Sequence, residues 1–169
     1  VQPTFLHRPL RAASSAGLEA VARARSAGLV LLPWQELVLD AALAETAEGF
    51  CASFEVALVV PRQNGKGGVL EAAELYWLFL DDAVDLITHT AHRFDTSLEH
   101  FTRIRTLVET TPELMAEVKG IYDSNGKERI ELRSGKRLQF KARSKGGGRG
   151  FSGDRVVLDE AYYINDLGS

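Results

Sequence analysis

The chain has 169 residues, of which 45% are apolar and 25% are charged, so it can bury a core, and a wholly disordered chain is excluded. This length suits one compact α/β domain, and we expect a complete two-domain enzyme to need more. The single cysteine, Cys51, excludes an internal disulfide and a zinc site built from cysteine pairs. No run is long and apolar enough for a membrane span, so we expect a soluble protein.

Charge is distributed unevenly along the chain, whose formal net charge is −3. Residues 127–149 contain nine basic and two acidic residues, a local net charge of +7. A concentrated basic segment on an acidic protein can contact a polyanion such as nucleic acid, although such segments also occur as solvated surface. Both interpretations stay open at this point.

The first third of the chain predicts an extended arm followed by two helices. Residues 1–14 show no sustained period and contain two prolines, which favours an extended arm. Residues 15–25, SAGLEAVARAR, predict a short helix that Gly28 closes. The run VLLPWQ then leads into a helix over 34–47, with Pro33 suited to its first turn.

The middle of the chain predicts two consecutive βα units. Residues 55–60, EVALVV, form a short apolar run rich in β-branched residues, as expected of a buried strand. A glycine-rich turn and a helix over 69–80 follow, and residues 85–91 then predict a second strand. The next helix carries one apolar stripe: Phe94, Leu98, Phe101, Ile104 and Val108. Because parallel strands joined by helices need a covered sheet, we expect a three-layer α/β sandwich with a mainly parallel central sheet.

The last third predicts more strands. Residues 130–135 and 136–143 alternate in polarity around a Ser-Gly turn, which is typical of a hairpin or two adjacent strands. A glycine-rich loop, KGGGRGFSGD, covers residues 145–154. Residues 155–161, RVVLDEA, predict a buried strand that ends in two carboxylates.

The turn at residues 61–67, PRQNGKG, is a candidate phosphate loop. Backbone N–H groups between a strand and a helix form an anion site, Gly65 permits close approach of phosphates, and Lys66 can reach them. The full P-loop pattern has glycine where this chain has Val60, and serine or threonine where it has Gly67. The match is therefore partial, and a simple glycine-rich turn with a surface lysine stays open on this loop alone.

The carboxylates of Asp159 and Glu160 follow the last predicted strand. Open α/β sheets bind ligands at the carboxyl edge of their strands. Asp159 could hold Mg²⁺ through water, and Glu160 could orient and deprotonate the attacking water. Together with the loop, this order predicts nucleotide hydrolysis, with Lys66 and the two acids meeting around one triphosphate.

Five segments carry a resemblance to a known family: LLPWQ, PRQNGK, THTAH, KARSKGGGRGFSGD and VVLDEA. Over residues 31–163 the chain resembles the ATPase domain of the large terminase subunit, the DNA-packaging motor of tailed bacteriophages, in versions from phages of actinobacteria. The resemblance implies an ASCE/RecA-like P-loop NTPase fold, truncated after the Walker B strand. It also implies an arm and short helix over 1–30 and the ATPase domain over 31–169, without the nuclease domain.

The resemblance implies a nucleotide-binding set. Gln35 would contact the adenine edge, with Trp34 nearby either as a stacking surface or as ordinary core packing. The Lys66 amine and the Gly65 amide would hold the β and γ phosphates. The implied ATP-binding residues are Gln35, Arg62, Gln63, Asn64, Gly65, Lys66 and Gly67.

The resemblance also implies a catalytic set. Asp159 would hold Mg²⁺ and Glu160 would activate water. Two arginines compete for the finger that neutralises transition-state charge: Arg62 in cis, and Arg149 presented to a neighbouring subunit. Gly67 departs from the usual serine or threonine, which removes a direct Mg²⁺ ligand.

The partners that the resemblance implies are double-stranded viral DNA, other copies of the chain in a ring, the portal protein and the small terminase subunit. It implies no membrane and a place in the host bacterial cytoplasm, at the procapsid portal. Two alternatives stay open: a helicase-like DNA translocase, and a non-catalytic nucleotide-binding assembly module.

The histidines and the cysteine are predicted to have structural roles rather than chemical ones. His89 falls on a strand while His100 falls well inside a helix, so with His92 they predict no metal site. Cys51 precedes the strand expected at 55–60, which predicts a core position rather than a nucleophile.

Overall fold

The chain forms two compact units, Val1–Tyr76 and Trp77–Ser169. The sequence-based division into 1–30 and 31–169 stays a prediction. The structure is a computed structural model, and it describes residues 3–61, 63–124, 126–142 and 152–161.

Two helices pack together in the first unit. The elements that begin in this unit are β1 (Ser14–Ser15), α1 (Gly17–Ser26), α2 (Pro33–Ala42), β2 (Ala44–Glu45) and α3 (Lys66–Phe79). A Cβ at Gly17 would lie 2.5 Å from the Cα of Asp40, so only glycine permits this approach of α1 to α2. The Ser15 hydroxyl donates to the Asp40 carbonyl at 2.7 Å and accepts the Gly17 N–H at 3.0 Å. The helix predicted over 15–25 is confirmed, whereas the one predicted to reach residue 47 ends where the chain enters β2.

Residues 55–60, predicted as a buried strand, form no regular secondary structure. Val56 and Val59 are 52% and 93% exposed, so the prediction is wrong. Apolar and β-branched composition favours a strand only where another strand accepts its backbone hydrogen bonds. None of the strands within the described residues pairs with this segment.

The second unit contains a mixed five-stranded sheet, with strand order β4-β5-β6-β3-β7. Its elements are β3 (Leu86–Ala91), α4 (Phe94–Glu109), α5 (Pro112–Glu117), β4 (Val118–Tyr122), β5 (Arg129–Leu132), β6 (Arg137–Ala142) and β7 (Arg155–Leu158). Strand β3 is parallel to β6 and β7, whereas β4–β5 and β5–β6 are antiparallel. The α/β class is confirmed, and the sheet is mixed, because β5 runs opposite to its two neighbours. The three layers, the P-loop class and the truncation stay predictions.

Antiparallel pairing follows from the short connection between β5 and β6. The predicted hairpin is confirmed, and its turn contains Gly135 with a φ of 96°. The neighbouring elements α5 and β4 are not predicted from the sequence. Strand β4 has a register shift between Val118 and Gly120, which breaks the two-residue alternation on which strand prediction depends.

Helix α4 contributes much of the second unit's core. Phe101, Ile104 and Val108 are at most 1% exposed, as the predicted stripe requires. Leu98, by contrast, is 37% exposed, while His100 is buried on the packed side. The helix is therefore rotated slightly from the predicted stripe, and a histidine takes a core position.

Asp154 connects the beginnings of β3 and β7. Its Oδ2 accepts the N–H groups of Asp85 and Leu86, both at 2.9 Å, and its own N–H donates to the Leu86 carbonyl at 2.8 Å. The hydrogen bonds from the Leu86 and Asp85 N–H groups lower the pKa of Asp154. A Cβ at Gly153 would lie 3.0 Å from the Leu86 carbonyl oxygen, so the preceding residue is also tightly placed.

We predict that Asp154→Asn lowers the free energy of unfolding by about 1 kcal/mol near neutral pH, since hydrogen bonds to a charged acceptor are replaced by weaker ones at a site that solvent partly screens. Because the pKa of Asp154 is lowered on folding, its contribution is present above the unfolded-state pKa of about 4 and is lost as the pH falls through the folded-state pKa. The difference between the two proteins should therefore shrink in acid. Urea denaturation of both proteins across this pH range measures it.

Asp82→Asn is the matched control, because its side chain is fully exposed and its ion pair within the described residues is a 3.3 Å contact with Lys136. It should change stability little at any pH. An Asp154→Asn difference that stays constant down to the acid limit would contradict the assignment.

Candidate nucleotide-binding site

The candidate phosphate loop leads directly into α3, which begins at Lys66. Gln63, Asn64 and Gly65 are exposed, and Gly65 has a φ of 81°, a conformation that favours glycine. The Gly68 N–H donates to the Gly65 carbonyl at 3.1 Å. Helix α3 has 14 residues, so its first N–H groups and its dipole create a positive end suited to an anion.

Gln35 connects α2 to this loop. Its Oε1 accepts the Leu32 N–H at 2.6 Å, and its Nε2 donates to the Gly65 carbonyl at 2.7 Å. Gln35 is 6% exposed. The residue predicted to contact adenine therefore also holds the candidate phosphate loop, and Trp34 lies close to this loop at Gly65.

The two candidate carboxylates follow β7 at the carboxyl edge of the sheet. Asp159 is 8% exposed, and its N–H donates to the Thr90 carbonyl at 2.8 Å. Its Oδ1 accepts the Glu160 N–H at 2.8 Å. The Thr90 hydroxyl donates to the Val157 carbonyl at 3.1 Å, so the ends of β3 and β7 are fixed to each other beside the carboxylates.

Two non-glycine residues in the described part of the chain have a positive φ: Gln63 at 58° and Glu160 at 54°. This left-handed conformation is unfavourable for residues with a Cβ, and such strain concentrates at functional sites. Both residues belong to the predicted site, one in the phosphate loop and one after β7.

The predicted site residues are distributed over both units. Lys66 lies in the first unit, and Asp159 and Glu160 lie in the second. Their meeting around one triphosphate stays a prediction. The candidate finger residues, Arg62 and Arg149, lie outside the described residues.

Sequence reasoning missed a buried histidine pair in the second unit. The rings of His89 and His100 stack with their centroids 4.2 Å apart and an angle of 13° between their planes. Phe140 packs against His89 at 5.4 Å between centroids. A strand residue and a helix residue meet here because α4 packs on the sheet, which no spacing along the sequence indicates.

Cys51 is exposed, so its predicted core position is wrong. It forms an isolated antiparallel bridge with Glu45. The core prediction depended on a strand at 55–60, and that strand is not formed.

The basic hairpin has one apolar and one polar side. Its buried residues alternate along β5 and β6: Ile130, Leu132, Leu138 and Phe140. On the polar side, the Arg129 guanidinium lies 3.8 Å from the centre of the Tyr122 ring. Lys119 donates to Glu131 at 2.7 Å, and this hydrogen bond lowers the pKa of the Glu131 carboxyl. The hairpin's Arg129 also lies 3.8 Å from Glu131, so this carboxylate pairs with one cation of the hairpin and one of β4.

Comparison with known proteins supports the fold. No protein-family model and no curated protein sequence matches the chain. Among solved structures, the chain is similar to the crystal structure of the HK97 bacteriophage large terminase, with a TM-score of 0.67 and 19% sequence identity. The likeness covers 90% of this chain and 34% of that chain, so this chain spans about a third of that terminase's length. The predicted resemblance to large terminases is confirmed at the level of the fold.

No helix in the described part of the chain has the length and apolar character that a membrane crossing requires.

The left-handed conformation of Glu160 generates a stability prediction. Glu160→Gly should be more stable than Glu160→Ala by about 1 kcal/mol, because a Cβ is unfavourable in this conformation and glycine removes it. Thermal or urea denaturation of the two variants measures the difference.

The same pair of substitutions at Glu99, exposed on α4, is the control. There alanine should be the more stable by about 1 kcal/mol, because glycine is unfavourable within a helix. If alanine were also the more stable residue at position 160, the left-handed conformation would be contradicted.

Proposed function

We propose that the chain is the ATPase part of a phage terminase large subunit, which hydrolyses ATP with Mg²⁺ to drive viral DNA into a procapsid. The observation that carries this proposal is the fold shared with the HK97 large terminase over 90% of the chain. The loop before α3 and the carboxylates after β7 supply the residue types that such chemistry needs.

In this proposal, the loop binds the triphosphate. Lys66 is the first residue of α3, where helix amides and dipole already favour an anion. Its ammonium would contact the β and γ phosphates together with the Gly65 amide. Gln35 would contact the adenine edge. Gln63 and Asn64 are exposed in the loop and would lie next to the bound phosphates.

In this proposal, one carboxylate after β7 binds a metal ion and the other activates water. Asp159 offers oxygen ligands at a strand end, which suits a hard cation such as Mg²⁺. Bound there, Mg²⁺ would neutralise charge on the phosphates. Glu160 would orient a water molecule for in-line attack on the γ phosphorus and accept the proton of that water, while the bond from the γ phosphorus to ADP breaks.

The arginine finger would come from one of two residues. Arg62 would act in cis from the phosphate loop, and Arg149 in trans on a neighbouring copy. An arginine in this role raises the rate by about 10³–10⁵. The support for both residues is the sequence resemblance.

DNA and assembly partners belong to the same proposal. The polar side of the sheet carries Arg129 on β5 and Lys119 on the neighbouring β4, both partly exposed, and cations of this kind suit contact with a polyanion or with an acidic neighbour. A ring of copies at the portal, with the small terminase subunit and in the host cytoplasm, follows from the proposed family.

We predict that Glu160→Gln lowers ATP hydrolysis by about 10²-fold or more and keeps ATP binding, because the amide cannot accept the proton of water. Lys66→Ala should instead weaken ATP binding by roughly 10- to 100-fold, through loss of charge-assisted bonds. Phosphate release and titration calorimetry measure the two effects.

Matched controls are Glu113→Gln and Lys127→Ala, both exposed in the second unit, and neither should change rate or affinity. An unchanged hydrolysis rate in Glu160→Gln would favour a non-catalytic nucleotide-binding module. Unchanged ATP affinity in Lys66→Ala would contradict the phosphate loop itself.

We also predict that hydrolysis needs more Mg²⁺ than in P-loop enzymes with serine or threonine at the position of Gly67, because water must replace a hydroxyl ligand. Gly67→Ser should lower the half-saturating Mg²⁺ concentration several-fold. Gly67→Ala adds a side chain without a hydroxyl, so it should not lower the half-saturating Mg²⁺ concentration. Full turnover of the unmodified chain at micromolar Mg²⁺ would contradict the prediction.

A further inference from the structure

Both the oxygen and the nitrogen of the Gln35 side-chain amide form hydrogen bonds to the backbone. Leu32 presents an N–H, which can only donate, and Gly65 presents a carbonyl oxygen, which can only accept. The orientation of the amide is therefore fixed by the chemistry of its two partners. Each end keeps capacity for one further hydrogen bond.

Room for this contact is built into the loop by glycine. A Cβ at Gly68 would lie 2.9 Å from the Gln35 Nε2 and 3.5 Å from Leu31 Cδ2. A Cβ at Gly65 would lie 3.2 Å from the same nitrogen. One glycine before Lys66 and one after it thus leave space for the Gln35 side chain, which comes from α2. This observation is separate from the hydrogen bonds.

The Gly65 carbonyl is the acceptor at the base of the loop. It accepts the Gln35 amide at 2.7 Å and the Gly68 N–H at 3.1 Å. Fixing this carbonyl fixes the peptide plane that joins Gly65 to Lys66, and hence the direction of the Lys66 N–H. That N–H is one of the donors that a phosphate at the start of α3 would meet.

We propose that Gln35 is a positioning residue for the phosphate loop, which holds the Gly65–Lys66 peptide in the orientation that binds a triphosphate whatever base is attached. This inference rests on the proposed nucleotide-binding function and adds to it. It places the effect of Gln35 on the phosphates, through Gly65, in addition to the predicted adenine contact. Affinity for inorganic tripolyphosphate therefore depends on a residue that the ligand does not need to touch.

Three variants separate the possible roles. Gln35→Met keeps the side-chain length and removes both hydrogen bonds. Gln35→Glu keeps the acceptor for the Leu32 N–H, as glutamate does in a capping box, and removes the donor to Gly65. Gln139→Met is the matched control, since the Gln139 amide also donates one 2.8 Å hydrogen bond, to the Thr88 hydroxyl, but does so within the second unit.

The binding test uses ATP, GTP and inorganic tripolyphosphate as probes. Gln35→Met should weaken binding of tripolyphosphate and GTP by about five- to tenfold, as expected for loss of the hydrogen bond to Gly65. ATP binding should weaken by at least the same factor, because the adenine contact is lost as well. Gln139→Met should leave all three within about twofold of the unmodified chain. Weaker ATP binding with unchanged tripolyphosphate binding would overturn the proposal, because Gln35 would then act on the base alone.

Hydrogen exchange of the ligand-free protein is the second readout, and it does not depend on nucleotide binding. Amides at residues 65–68 should exchange faster in Gln35→Met and in Gln35→Glu than in the unmodified chain, while the start of α2 stays protected in Gln35→Glu. Unchanged exchange at 65–68 in both variants would overturn the positioning role. If the unmodified chain binds neither ATP nor tripolyphosphate, the proposed function fails, and exchange still decides whether Gln35 positions the loop.

Discussion

The parallel pairing of β7 with β3 determines where the candidate carboxylates lie. The register ends with Thr90 opposite Leu158, and the next residue, Asp159, donates its N–H to the Thr90 carbonyl. At the other end of the same pair, Asp154 accepts two N–H groups at the start of β3. Since both ends are fixed, the carboxylates are delivered to the carboxyl edge of the sheet, where α/β folds bind ligands.

The candidate phosphate loop is fixed by the same kind of contact. In both places a side chain bonds to backbone groups: Asp154 to N–H groups at the start of β3, and Gln35 to the Gly65 carbonyl. These contacts hold the backbone next to the candidate residues, and Asp159 adds a further one, since its Oδ1 accepts the Glu160 N–H. A binding site is well served by side chains that position its backbone in this way.

Sequence reasoning succeeded where structure follows from local pattern. The period of α4 and the alternation of β5 and β6 were sufficient to place those elements, because each buries one side against a neighbour. Residues 55–60 have equally strong strand composition, yet a strand depends on a partner that composition does not supply. The same limit explains why the Gln35 contact with Gly65 and the stacking of His89 on His100 were missed, since both join segments distant in sequence.

The left-handed conformation of Glu160 separates the demands of the fold from those of the proposed chemistry. With a φ of 54°, glycine or asparagine would suit the backbone better than glutamate. The backbone conformation therefore does not favour a glutamate at this position. In the proposed hydrolysis its carboxylate would activate water, immediately after Asp159, which is 8% exposed. Gln63, in the candidate phosphate loop, has the same left-handed conformation. The two strained non-glycine residues of the described chain therefore lie in the two segments that the proposed hydrolysis uses, one for binding phosphates and one for activating water.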